Sequence, residues 1–412
     1  VPSRGTAEIK PIEPDLDHAS EGSLEVPRVR FPHSPPAKLR VAIVGAGVIG
    51  LAIGWRLASA GVEVDIYERG RAGRGASWAA AGMLAAAAEA EPSEERLLPL
   101  TLESRRRWPG FAEELEAASG MRVGYRGEGT LVIALTRDDA EQLRFSYDFQ
   151  RGLGLDLAWL GPGQVLEREP FLNPRLAGGC FSPSDHQVDN RRVTTALAEA
   201  LRRAGGRLHE NEAVDRVAVD DDRARGVMVR GELRPADQVV VAAGPWSGVE
   251  ALVPEAARPP VRPIKGQMLA VRMDPAAPIL RHVVWTPRVY LVPREDGRLI
   301  VGGTVEERGF DEAITAGGLF SLLEGAWRAL PAIEDLPVEE IWVGFRPGSP
   351  DDAPILGFTG IEGLVVATGH HRNGILLAPV TADAISECVL TGVVPEPIRN
   401  FGMDRFETGE SR

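Results

Sequence analysis

Residues 39–50 read Leu-Arg-Val-Ala-Ile-Val-Gly-Ala-Gly-Val-Ile-Gly, an apolar run that delivers Gly45, Gly47 and Gly50 in G-x-G-x-x-G spacing. Each glycine answers a physical need of a dinucleotide-binding turn. The first permits the tight bend, the second lets backbone approach a pyrophosphate, and the third brings the helix expected over residues 48–60 close to its strand. Val48 and Ile49 then open a helix whose free N–H groups and positive dipole face the phosphates. A second apolar run, Val62 to Tyr67, ends on Glu68, where a carboxylate can accept hydrogen bonds from a ribose hydroxyl. Strand, glycine turn, helix, strand and acid follow one another without interruption.

Composition narrows the class. A chain of 412 residues exceeds the usual size of one hydrophobic core, and 44% hydrophobic with 25% charged residues describes an ordinary globular protein. The net charge of −13 argues against a nucleic-acid surface. Lysine occurs only at Lys10, Lys38 and Lys265 among the 46 cationic residues, a coding bias toward arginine that carries no inference about phosphates. Two cysteines, Cys180 and Cys388, cannot build a disulfide framework, and no apolar run is long enough to span a bilayer. The expectation is a cytoplasmic protein in a reducing compartment, with no membrane or nucleic-acid partner. Residues 1–38, charged and proline-containing, read as a flexible extension without a signal peptide, and residues 406–412 as a tail. The histidines lack metal-ligand spacing, so no metal is expected.

Two further strand-to-glycine turns recur far along the chain. Gln238 to Ala243 is an apolar run ending on Gly244, and Leu364 to Thr368 ends on Gly369, followed by a helix expected over residues 375–390. Such runs are typical of buried parallel strands whose C-terminal ends meet a ligand. A nicotinamide enzyme needs one such turn; a cofactor threaded through the fold touches all three, which favours FAD. Between these segments, helical patterns are expected at 91–118, 138–153, 192–204 and 319–330. Strands are expected at 129–136, 213–219, 226–230, 289–293 and 298–301.

With these motifs in place, the chain resembles the FAD-dependent D-amino-acid oxidase superfamily, and within it the glycine oxidases of thiamine biosynthesis. Four stretches carry the resemblance: residues 44–50, the small-residue segment 79–84 (Ala-Ala-Ala-Gly-Met-Leu), residues 344–348 (Gly-Phe-Arg-Pro-Gly) and residues 369–379. It implies an α/β fold with a discontinuous, doubly wound FAD-binding domain (39–100, 183–247 and 338–405). A substrate domain on an antiparallel sheet would take 101–182 and 248–337. It also implies oxidation of glycine, with sarcosine and small D-amino acids as companion substrates, to the imine, with O₂ reduced to H₂O₂; a homo-oligomer is expected. Cofactor contacts are expected from Gly45, Gly47, Val48, Ile49, Gly50, Glu68, Ser77, Ala80, Ala81, Gly82, Met83, Val214, Gly244, Arg372, Asn373, Gly374, Ile375 and Leu376. FAD is expected to be non-covalent, because no cysteine lies in 347–357, where sarcosine oxidases attach it.

Side-chain chemistry complements the resemblance. A zwitterionic substrate needs a fixed cation for its carboxylate, and Arg346 presents paired donors that stay charged when buried. Tyr290, one of 4 tyrosines, is the expected second donor on a substrate-domain strand. Arg372 is placed by the resemblance near substrate and flavin, and Met83 over the pocket or in the core. No general base is required, and His370 and His371 read as packing or hydrogen-bonding residues beside the cofactor. A broader D-amino-acid or secondary-amine oxidase or dehydrogenase is the alternative substrate reading. From another class, the flavin domain of tRNA wobble-uridine modification lacks here its methyltransferase partner and a basic face.

Overall fold

The computed structural model describes residues 39–406. The expectations for 1–38 and for 407–412 lie outside the described residues, while Phe406 closes a short 3-10 turn, Met403–Phe406.

The first apolar run forms the strand Arg40–Val44, the glycine turn and the helix Val48–Ser59. A six-stranded sheet grows around it in the order Ile355–Phe358, Leu364–Thr368, Gln238–Val241, Arg40–Val44, Glu63–Glu68, Arg207–Glu210. All neighbours are parallel except the first pair. Val44 stands beside Val241, and Val241 beside Val366, so three strands from distant parts of the chain end at one edge. The three glycine turns read from sequence therefore share the carboxyl edge of the sheet, the position where open α/β sheets bind ligands.

The glycines of the first turn are fixed by backbone proximity. Gly45 has φ +102°, and a Cβ there would lie 2.6 Å from the Ala242 carbonyl oxygen; a Cβ on Gly50 would lie 2.0 Å from the Gly45 carbonyl oxygen. Helix and turn thus touch backbone to backbone.

The second sheet has eight strands in the order Val338–Gly348, Arg262–Arg272, Arg298–Gly302, Tyr290–Pro293, Val283–Trp285, Thr130–Ala134, Gly178–Ser182, Ala158–Leu160. One junction, Val283–Trp285 with Thr130–Ala134, is parallel; the rest are antiparallel. Leu269, Val271, Leu291 and Val301 point from this sheet to the helix Ala316–Ala329, while Met268, Ala270, Val292 and Ile300 point to Ala79 and Ala81 on the other face. The period-2 alternation of the strands separates a structural face from a site face.

Two expected boundaries move. Residues 338–348 belong to the eight-stranded sheet, paired along the length of Arg262–Arg272, and not to the dinucleotide part. The helix Leu98–Ser119 packs against Asn190–Arg203 and Ala378–Thr391 on the dinucleotide side, where Trp108 Nε1 donates to the Leu376 carbonyl at 2.9 Å. The C-terminal helix begins at Ala378 with Pro379 in its first turn, where a missing N–H costs nothing, and residues His371–Asn373 form a 3-10 turn before it.

Gly50→Ala forces its new methyl into the Gly45 carbonyl and should destabilise the fold by about 2 kcal/mol or more. A thermal melt checks this; a wild-type melting temperature would show that the turn can give way.

Candidate active site

One cavity of about 960 Å³ runs from the glycine turn to the eight-stranded sheet, near the top of the size range of ligand pockets. At one end Gly45, Gly47, Val48 and Ile49 line it, with Glu68 and Val214 beside them. Glu68 is oriented by backbone, accepting from Ala46 N–H at 2.9 Å and from Gly70 N–H at 3.0 Å. Gly47 has no side chain with which to cap its helix, and the Ser77 hydroxyl does so instead, accepting from Val48 N–H at 2.9 Å.

The small-residue segment crosses the middle of the cavity, where Ala80, Ala81, Gly82 and Met83 form the wall. Its course is held by contacts that tolerate no bulk. A Cβ on Gly344 would lie 2.3 Å from the Ala79 Cβ, and one on Gly82, at φ +69°, 2.1 Å from the Val188 carbonyl oxygen. Buried Arg294 donates to the carbonyls of Ala81 at 2.6 Å and Val188 at 2.7 Å, and to Gln187 and Asn190 at 3.0 Å. Burial lowers its pKa to about 10, which still leaves it charged at neutral pH. Sequence reading missed Arg294; its significance lies in acceptors more than a hundred residues away.

Gly244, Asn373, Gly374 and Ile375 also reach the wall. Gly50 and Leu376, both expected to touch the cofactor, do not line the cavity. Gly50 is covered by its own turn, and Leu376 is buried in the dinucleotide core with its carbonyl taken by Ser104 and Trp108.

At the far end, Tyr290 and Arg346 converge. A Cβ built on Gly303 would lie 3.1 Å from the Tyr290 hydroxyl and 3.2 Å from Arg346 Nη2, so the glycine leaves the space in which both donors meet. The Tyr290 hydroxyl lies 3.3 Å from Met268 Sδ. Burial raises its pKa above the usual phenol range, which keeps it protonated and able to donate. Arg346 donates from Nη1 to the Thr304 carbonyl at 3.1 Å, and no carboxylate lies within ion-pair distance of it among the described residues.

Arg372 sits differently. It lines the cavity, but its guanidinium is engaged by Glu89 at 2.9 Å and Glu94 at 2.6 Å. Two mostly buried carboxylates share one cation, so the cluster carries excess negative charge only when both are ionised. Burial pushes the Glu89 carboxyl up to about 7 against the pull of Arg372, and Glu94 moves the same way. Glu89 also faces the cavity and was not read from sequence. His370 is buried, its Nε2 3.1 Å from the Thr381 hydroxyl, and burial lowers its pKa to about 3; His371 falls to about 4 for the same main reason. Both imidazoles are neutral and weakly basic, as packing residues would be. Buried Cys180 and Cys388 are unpaired, with thiols pushed up to about 12 by burial.

A glycine turn, an acid held by backbone at the end of the next strand and a long cavity that reaches Tyr290 and Arg346 are the parts expected of a dinucleotide-dependent oxidoreductase. Residues 40–388 match the family model described as FAD dependent oxidoreductase. The chain is 39% identical over 353 residues to the glycine oxidase of Geobacillus kaustophilus, covering 85% of this chain and 92% of that protein. It is 38% identical over 373 residues to the bifunctional protein ThiO/ThiG of Synechocystis sp., covering 89% of this chain and 54% of that protein, so it spans about half the length of that relative. The crystal structure of glycine oxidase from Geobacillus kaustophilus superposes with a TM-score of 0.82 at 37% identity, covering 89% of this chain and 99% of that one. The chain belongs to the DAO family of FAD-dependent oxidoreductases, and FAD is its cofactor.

Ionisation of Glu89 adds negative charge within Coulomb reach of Tyr290. Affinity for a small carboxylate such as acetate should therefore fall several-fold as pH rises through about 7, and Glu89→Gln should flatten the profile. Titration of acetate against the flavin absorbance at a series of pH values checks both.

Proposed function

We propose that the protein oxidises glycine, and small amines of similar shape, to the imine, with electrons passing to O₂ to give H₂O₂. The observation that carries this reading is the uncompensated charge of Arg346 beside the Tyr290 hydroxyl where the cavity meets the eight-stranded sheet. A guanidinium with no carboxylate of its own is a receptor for one from the substrate. Arg372 already has two, and so falls to the wall of the site and not to the carboxylate.

The residues divide the work by position. Gly45, Gly47, Val48 and Ile49 would hold the pyrophosphate, Glu68 the ribose, and Asn373 to Ile375 would lie along the far wall. FAD, when bound, supplies a two-electron acceptor for the hydride of the substrate α-carbon. Arg346 and Tyr290 fix the carboxylate and with it the direction of the α-carbon, while Met83 and the alanines around it exclude water. No side chain need remove the α-hydrogen as a proton, and the weakly basic His370 and His371 fit that economy. The imine is a precursor of the kind used for the thiazole ring of thiamine, the role that the glycine oxidase resemblance implies. Assembly as a homo-oligomer and a cytoplasmic location belong to the same reading. Among the described residues no helix is long and apolar enough to cross a membrane.

Anaerobic addition of glycine to the purified holoprotein should bleach the flavin bands, and air should restore them with release of H₂O₂. A spectrum that glycine leaves unchanged would sink the substrate assignment. Arg346→Ala should lower kcat/KM for glycine by about 2–5 kcal/mol and Tyr290→Phe by about 1 kcal/mol, with flavin content unchanged. Steady-state kinetics read both, and an Arg346→Ala enzyme with wild-type kcat/KM would remove the arginine from the site.

A further inference from the structure

Lys265 is the only lysine among the described residues, in a chain that otherwise uses arginine for its cations, and its side chain is fully buried. A buried ammonium costs several kcal/mol unless it is paired and hydrogen-bonded. The bias toward arginine is therefore overridden at a place where a slender group with three donors is wanted. Nζ donates to Asp311 Oδ2 at 2.7 Å and to the Ala313 carbonyl at 2.6 Å, with Glu306 Oε2 at 3.9 Å. All three partners lie on the loop that connects the strand Arg298–Gly302 to the helix Ala316–Ala329.

The same loop begins at the carboxylate site. Residues 265–267 lie on the strand Arg262–Arg272, and alternation sends Lys265 and Gln267 to one face and Gly266 to the other. On the site face, a Cβ at Gly266 would lie 2.6 Å from Arg346 Nη1 and 3.0 Å from the Thr304 carbonyl oxygen, so the guanidinium rests directly on Gly266. On the far face, Gln267 donates to Glu306 at 2.8 Å and accepts from Thr315 N–H at 2.8 Å. Thr304 ties the two faces together: its hydroxyl donates to Glu306 at 2.6 Å and accepts from Gln267 N–H at 2.8 Å, and its carbonyl accepts from Arg346. Backbone bonds of 2.9 Å in both directions between Lys265 and Glu306 complete the clamp.

We propose that Lys265 is a positioning residue for substrate binding: by pinning the loop 304–315 through Asp311 and Ala313, it fixes the Thr304 carbonyl against which Arg346 is oriented. The Lys265 ammonium bonds to the loop and not to Arg346, and Lys265 does not line the cavity. It acts at one remove, and the inference rests on Arg346 being the carboxylate receptor. Small displacements of a binding group have large effects on a rigid site, so the loss should appear in substrate affinity before it appears in cofactor binding.

The test compares holoenzymes of wild type, Lys265→Met, Asp311→Asn and Arg346→Ala. For each, KM and kcat for glycine, the Kd of acetate from flavin absorbance, flavin content and melting temperature are measured. Lys265→Met should raise KM and the acetate Kd about tenfold or more, with flavin content unchanged and kcat at saturating glycine within about twofold of wild type. Asp311→Asn, a surface change that weakens the same tie, should shift KM in the same direction by a smaller factor, and it decides the matter if Lys265→Met does not fold. Wild-type KM and acetate Kd in the folded variants, with only the melting temperature lowered, would reduce Lys265 to a structural residue and overturn the proposal. If Arg346→Ala itself leaves KM unchanged, the carboxylate reading fails; if Arg346→Ala raises KM and the other two do not, only the role of Lys265 fails.

Discussion

The segment Ala79–Met83 runs between two sheets that would otherwise have separate surfaces, and its close contacts make one cavity of them. Trp342 Nε1 donates to the Ala79 carbonyl at 3.1 Å, Gly344 admits the Ala79 methyl, and Arg294 gathers the Ala81 and Val188 carbonyls. Each contact requires a small residue or a bare backbone on one side. Bulk anywhere in the segment would push the sheets apart and with them the glycine turn from Tyr290 and Arg346. The separation between cofactor turn and carboxylate donors is thus set by packing between rigid strands, the kind of support that holds binding groups to within a fraction of an ångström.

Charge is distributed along the cavity with the same economy. Cations are abundant in the chain, yet those near the site differ in what they already hold. Arg294 is spent on carbonyls and amide oxygens, Arg372 on two carboxylates, Lys265 on an aspartate and a carbonyl. Of these four, Arg294 and Arg346 have no carboxylate partner, and Arg346 has one neutral acceptor where Arg294 has four. An ion pair within the protein would have to be broken before a substrate could bind, at a cost of the order of the pair itself. The arginine left unpaired is the one from which binding energy remains to be drawn.

Sequence legibility followed the range over which each signal acts. The glycine turn could be read from residues 45–50 because its demands are local and concern backbone. The three strand-to-glycine turns were legible for the same reason, and the parallel sheet brings them to one edge. Strand Val338–Gly348 was misassigned because a strand's own residues do not say which sheet it joins; ten pairs of register with Arg262–Arg272 decide that. Glu89 sits in an alanine-rich stretch with no periodicity, and its chemistry comes from Arg372, 283 positions away. Lys265 gave a faint signal as an isolated lysine, but nothing in the sequence says that Asp311 and Ala313 fold back over it.

The polar groups behind Arg346 also bear on why the proposed carboxylate receptor sits on a strand and not on a loop. Gly266 leaves the space that the Arg346 guanidinium fills, and on the reverse of the same strand Lys265 and Gln267 hold the loop whose first carbonyl faces that guanidinium. A polar network in low dielectric is stable only when its members are satisfied, and a partly satisfied one is costly. Loosening one tie would leave Lys265 or Glu306 without compensation, so the network has strong reason to keep a single arrangement. Rigidity at the carboxylate end follows from the penalty of leaving charge unpaired at its back.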